Sequence, residues 1–206
     1  MGSSKLMFGA MLFAGLATTV EAAPPSASAG EKKSEICQDC HGAKGISDDT
    51  SVPKLAGQYP EYIIKQIFDF QMQSRRDDRM SPMAGMVTNM EDAKDIAAYF
   101  ANQPHMRGKP VKSKDVKLGK NIYDNGIPER NIKSCAGCHG ANGKGTTKDN
   151  PLFPVIGGQH KTYLLKQLDD FRTNKRTSDP TGIMTFIGRN LDDVELEAVT
   201  DYIAGM

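Results

Sequence analysis

Two short segments carry the residues best suited to chemistry. They are "ICQDCHGAK", with Cys37, Cys40 and His41, and "SCAGCHGAN", with Cys135, Cys138 and His139. Between them they hold all 4 cysteines of the 206-residue chain. Local disulfides would each close a tiny loop and restrain little. Disulfides between the segments would leave both histidines unexplained. A thiol–disulfide oxidoreductase wants its Cys-x-x-Cys at a helix start behind a strand, and no alternating strand pattern precedes either copy. Zinc would need a fourth ligand, and neither segment has a further Cys or His at the usual spacing. Covalent haem c accounts for every position. Two thiols three residues apart on a helical turn match the haem vinyl groups, and the adjoining His supplies an imidazole to the iron. Two such motifs predict two covalent haem c groups per chain.

Elements that would position these motifs are also written twice. "PKLAGQYPEYIIKQIFDF" from Pro53 and "PVIGGQHKTYLLKQLDDF" from Pro154 agree at eight of eighteen positions, including Gln58/Gln159, Tyr62/Tyr163 and Gln66/Gln167. The same offset sets Arg75 against Arg176, Met83 against Met184 and Asn89 against Asn190. Within each copy, apolar residues at Ile63, Ile67 and Phe70, and at Leu164, Leu168 and Phe171, recur at helical spacing. Asn89 and Asn190 read as N-caps followed by acidic residues. "KLGKNIYDNG" reads as a helix stopped at Gly126, with a shorter counterpart in "GEKKSEI". No strand pattern is convincing, so the expected class is all-α, in two halves. The expected division is 1–22 signal peptide, 23–29 flexible tether, 30–105 first domain, 106–116 basic linker and 117–206 second domain.

An iron held by His needs a sixth ligand. His105 and His160 do not correspond between the halves and read as ordinary surface or loop residues. Met83 and Met184 do correspond, each ahead of a helix, and are the expected axial pair with His41 and His139. Met80, Met86 and Met90 remain rivals in the first half, since methionine also fills cores. Pro53 and Pro154 follow their histidines at the same repeat position. Their carbonyls are candidate acceptors for the second ring N–H, although a proline also simply ends a loop. Arg75 and Arg176 are read either as partners of haem propionates or as solvated arginines.

Composition sets the class. With 38% hydrophobic and 25% charged residues, a net charge of +1 gives no reason to expect a nucleic-acid partner. Residues 106–133 hold eight cationic side chains against three acidic ones, whereas 30–105 holds nine against twelve. The basic stretch reads as a solvated linker or as a docking patch for an acidic partner. Lys5, the apolar run Leu6–Val20 and the small residues Val20 and Ala22 read as a secretory signal cleaved after Ala22, with a retained anchor as the alternative.

Taken together, the paired "CQDCHGAKG" and "CAGCHGANGKG", the paired P-x-x-x-G-Q-x-x-x-Y-x-x-K-Q segments, and "RMSPMAGMVTNM" against "GIMTFIGRNL" resemble the di-haem cytochrome c4 family over nearly all of 30–206. The resemblance implies two class I-like cytochrome c domains related by a pseudo-twofold axis, with the haem propionate edges facing each other. It also implies His/Met axial pairs with the Pro carbonyl accepting from the His. The function implied is a periplasmic one-electron carrier, peripherally associated with the inner membrane. Its donor would be of the quinol–cytochrome c reductase type, its acceptor a terminal oxidase, and it would have no small-molecule substrate. One departure is visible: nine residues separate Met90 from Tyr99 but eleven separate Leu191 from Tyr202, so the last helix of the first half is expected to be shorter or shifted in register. Two other readings share the design. One is the cytochrome subunit of a flavocytochrome c sulfide dehydrogenase, whose flavin chemistry would need another chain, because no dinucleotide-binding glycine pattern occurs here. The other is a di-haem peroxidase, which would need one iron to lose its Met.

Overall fold

The computed structural model of the chain describes residues 23–146 and 152–206. The signal or anchor expected at 1–22 lies outside the described residues. Among them no helix is long and apolar enough to cross a membrane. The described residues form helices and loops with two isolated bridges, Arg75 with Arg176 and Ile127 with Ile132.

The first half holds α1 (Ala27–Lys33), α2 (Glu35–His41), α3 (Pro60–Gln71), α4 (Met80–Gly85) and α5 (Met90–Ala101). The expected tether is only partly one, because it becomes helix at Ala27. Ser26 Oγ accepts the Ala29 N–H, and the Ser26 N–H donates to Asp95 on α5 at 2.6 Å, which docks the segment. Pro60 sits at the first turn of α3, where a missing N–H costs nothing. Asn89 caps α5 as expected, its side chain accepting the Asp92 N–H at 2.8 Å.

The second half repeats the plan with α6 (Val116–Asn125), a 3-10 turn at Pro128–Arg130, α7 (Ala136–His139), α8 (Lys161–Arg172), α9 (Ile183–Asn190) and α10 (Asp193–Ala204). Here one expectation fails and another is decided between its alternatives. Asn190 ends α9 and caps nothing; Asp192 caps α10 through a reciprocal capping box with Glu195. The final helices are equal, at 12 residues each, so α5 is not shorter and the difference is a two-residue shift in register. The extra residues of the second half lie ahead of the helix. From Arg75 to the Asn89 cap is fourteen positions, and from Arg176 to the Asp192 cap is sixteen.

In each half the first helix crosses the last at close range. A β-carbon at Gly30 of α1 would lie 1.9 Å from the Asp95 carbonyl oxygen on α5. One at Gly119 of α6 would lie 1.9 Å from that of Ala198 on α10. Only glycine permits this approach. Behind these crossings lie two cores. One contains Ile63, Ile67, Phe70, Ile96 and Phe100; the other contains Ile122, Tyr123, Leu164, Leu168 and Val199. Burying each large side chain stabilises by roughly 1.5–3 kcal/mol.

The basic linker is pinned where it leaves the first half. Met106 is buried and its N–H donates to Ala56 O, while the Gly108 N–H donates to Met206 O at 2.6 Å. Lys109, Lys112 and Lys114 beyond it are exposed. Contacts between the halves are reciprocal and polar. Lys65 donates to Ser178 O at 2.8 Å, and Lys166 lies 3.8 Å from Asp77. The Thr177 N–H donates to Ser74 O at 3.0 Å.

Candidate haem sites

The helix α2 carries Cys37, Cys40 and His41 on one turn. In the second half Cys135 caps α7, which bears Cys138 and His139. All four thiols are free. Each helix must end at its histidine so that the chain can turn away, and a glycine does this. Gly42 and Gly140 adopt φ of 82° and 78°, a region that L side chains avoid. Both histidines are buried. His41 Nδ1 lies 2.8 Å from Pro53 O, and His139 Nδ1 lies 2.9 Å from Pro154 O. A carbonyl can only accept, so Nδ1 carries the proton and Nε2 keeps its lone pair. Burial holds both imidazoles below their ordinary value, against the bond to the proline carbonyl.

Each histidine lines an apolar cavity that also receives its two cysteines, its proline and at least one methionine. In the second half that methionine is Met184. It packs against the second core, as Cys135 does, and its N–H donates to Asp179 Oδ2 at 2.6 Å. In the first half the matching environment belongs to Met80. It packs against the first core, as Cys37 does, and its N–H donates to Asp77 Oδ1 at 3.1 Å. Met83, the residue expected from the repeat offset, also reaches the cavity but is 37% exposed. The geometry therefore favours Met80 over Met83. The offset misleads because the stretch from the arginine to the methionine is three residues longer in the second half, eight positions from Arg176 to Met184 against five from Arg75 to Met80. His160 instead bridges to the first half, with Nε2 at 2.9 Å from Ser47 O, and His105 is exposed.

Arg75 and Arg176 are not solvated. Both are buried at the junction of the halves, each stacked on a phenylalanine ring. Arg75 donates to Gln66, Tyr163 and Gln167; Arg176 donates to Gln167, Tyr62 and Gln66. Among the described residues neither has a carboxylate within ion-pair distance, so two buried positive charges face neutral acceptors. Burial pushes the Tyr62 phenol up, but the Arg176 and Arg75 guanidiniums outweigh it and hold the group below its ordinary range. Tyr62, Gln66, Tyr163 and Gln167 line both cavities, so the two sites share a wall. None of these four was singled out as a site residue, although all are identities of the internal repeat.

This donor set fits haem c: two free thiols on one turn, a neutral imidazole with Nε2 available, a thioether in the same cavity, and a buried cation able to meet an acidic edge. Comparisons with known proteins agree. A family model described as cytochrome c matches residues 116–206, and one described as cytochrome c oxidase, cbb3-type, subunit III matches 27–100. Cytochrome c4 of Thiocapsa roseopersicina is 40% identical, over 86% of this chain and 91% of its own. Cytochrome c4 of Pseudomonas aeruginosa is 38% identical, over 98% and 99%. A thiosulfate dehydrogenase electron acceptor of Stutzerimonas stutzeri is 32% identical, over 82% and 78%. The crystal structure of reduced recombinant cytochrome c4 from Pseudomonas stutzeri superposes with a TM-score of 0.81 at 36% identity, covering 88% of this chain and 99% of that one. With two tandem cytochrome c domains and two covalent haem c groups, the chain belongs to the cytochrome c4 family of electron carriers.

Proposed function

We propose that the chain is a periplasmic carrier that passes single electrons from a quinol–cytochrome c reductase-type donor to a terminal oxidase, peripherally associated with the inner membrane. The observation that carries this reading is the shared wall: two sites abut through Tyr62, Gln66, Tyr163 and Gln167, so charge received at one half has a short route to the other. Each bound haem supplies reversible one-electron iron chemistry. Cys37, Cys40, Cys135 and Cys138 would hold the two groups covalently. His41 and His139 would give Nε2 to the iron, while Pro53 and Pro154 fix the tautomer and the ring plane. Met184 would give its thioether to the iron in its half, and Met80, in place of Met83, would do so in the other. Arg75 and Arg176 would offset the propionate charge at the junction. With a histidine and a methionine both given to each iron, no position would be left for oxygen or peroxide, which argues against a peroxidase.

Membranes containing a terminal oxidase should reoxidise the fully reduced protein, releasing one electron from each haem. A protein that stays reduced under those conditions overturns the reading. Likeness to thiosulfate dehydrogenase electron acceptors favours a second donor, a dehydrogenase oxidising a sulfur compound. Reduction of this chain by thiosulfate in the presence of such an enzyme would select it. The flavocytochrome subunit reading has no comparable support.

A further inference from the structure

Gln58 and Gln159 occupy equivalent places in the two halves, each 4% exposed, and both line the cavity of the first half. Each reaches into the opposite half. Gln159 Oε1 accepts the Lys54 N–H at 2.9 Å, and its Nε2 donates to Lys54 O at 2.9 Å. Gln58 Oε1 accepts the Val155 N–H at 2.9 Å, and its Nε2 donates to Val155 O at 2.8 Å. Each Oε1 also accepts the N–H of the following residue, Tyr59 or His160, at 3.0 Å. Two N–H donors converge on each Oε1, so the amide has only one workable orientation.

The gripped residues are those that follow the two prolines. The Lys54 N–H and the Pro53 carbonyl are the two ends of one peptide unit, and that carbonyl accepts from His41. The Val155 N–H and the Pro154 carbonyl stand in the same relation to His139. A peptide unit is conjugated, so an acceptor on its N–H adds electron density to its oxygen and strengthens the bond which that oxygen accepts.

We propose that each half tunes the haem-ligating histidine of the other through this relay, Gln159 acting on His41 and Gln58 on His139. Both glutamines are positioning residues, and the inference rests on His41 and His139 being the iron ligands. A stronger acceptor at Nδ1 makes the imidazole more basic, and a more basic imidazole favours the oxidised iron. Each glutamine therefore lowers the potential of the haem in the half to which it does not belong.

Redox titration followed by NMR on the intact holoprotein tests this. In Gln159→Leu the His41 Nδ1–H resonance should move upfield and the first haem's midpoint should rise, with His139 and the second haem unmoved. Gln58→Leu should do the reverse. A shift confined to the half that carries the substitution, an equal shift in both, or no shift overturns the relay. Gln159→Glu is an independent arm should the leucine variants fail to fold. Its carboxylate still accepts the Lys54 N–H, so the His41 resonance should stay or move downfield, and an upfield move overturns the proposal. Failure of the ligand reading is told apart by His41→Ala. If that variant keeps an unaltered first-haem spectrum, the ligand assignment falls; if it loses the spectrum while Gln159→Leu does nothing, only the relay falls.

Discussion

Burial decides the state of the thiols and imidazoles. Before haem attachment Cys37 is pushed up by desolvation and Cys135 is pushed up to about 12, so both are thiols then, unlike the exposed thiolates of redox catalysts. Desolvation keeps His41 and His139 neutral and able to ligate. The sixth ligand is the sharper question. Met80→Ala should remove one of the two Met-to-iron charge-transfer bands, roughly halving the amplitude, and lower one midpoint potential. Met83→Ala should leave the visible spectrum unchanged. The contrast is legible only in three dimensions. Cysteines and histidine announce themselves because covalent attachment forces them onto one turn, and Pro53 and Pro154 because a fixed partner must follow close behind. A methionine arrives from a loop of variable length, and a three-residue difference in that loop carried the repeat from Met80 to Met83.

Helix starts and crossings govern the stability of each half. Asp192→Ala breaks a reciprocal capping box and should cost about 0.5–2 kcal/mol, while Asn190→Ala should stay within about 0.5 kcal/mol; denaturant titration of the holoprotein separates them. Gly119→Ala forces a β-carbon into the Ala198 carbonyl and should cost at least about 1–3 kcal/mol. Gly85, also helical, has nothing within 4 Å of a built β-carbon, so Gly85→Ala should be neutral or stabilising by up to about 1 kcal/mol in the same experiment. The amphipathic helices α3 and α8 were legible from apolar spacing alone. The α9–α10 boundary was not, because Asn190 and Asp192 are both plausible caps and only Asp192 has a glutamate three positions on.

Across the whole molecule the junction has its own titrating group. Burial holds His160 below its ordinary 6.5; its bond to Ser47 O and the nearby Asp49 and Asp48 oppose this, and Lys54 reinforces it. A histidine with a lowered folded value binds fewer protons folded than unfolded. Its contribution is therefore complete above pH 6.5 and is lost as the pH falls below that value. Thermal unfolding of the holoprotein should show the melting temperature dropping between pH 7.5 and pH 5.5, and His160→Gln should flatten part of that drop. An identical pH slope in the variant would exclude His160 as its source. The two-domain plan itself was evident from the repeat, but the junction was not, since Gln58, Arg75 and their counterparts acquire their partners in the opposite half only when residues about a hundred positions apart are brought together.

The polar character of that junction bears on what the linker does. A surface held by amides, guanidiniums and backbone groups is that of a partner able to come away, and a tether turns its association into an intramolecular event at an effective concentration on the order of millimolar. A nick in the exposed stretch between Lys109 and Lys112 would abolish that advantage without touching either haem site. The cut protein would then sediment as one particle when concentrated and separate on dilution into two fragments with one haem each, while the uncut chain would keep one hydrodynamic size throughout.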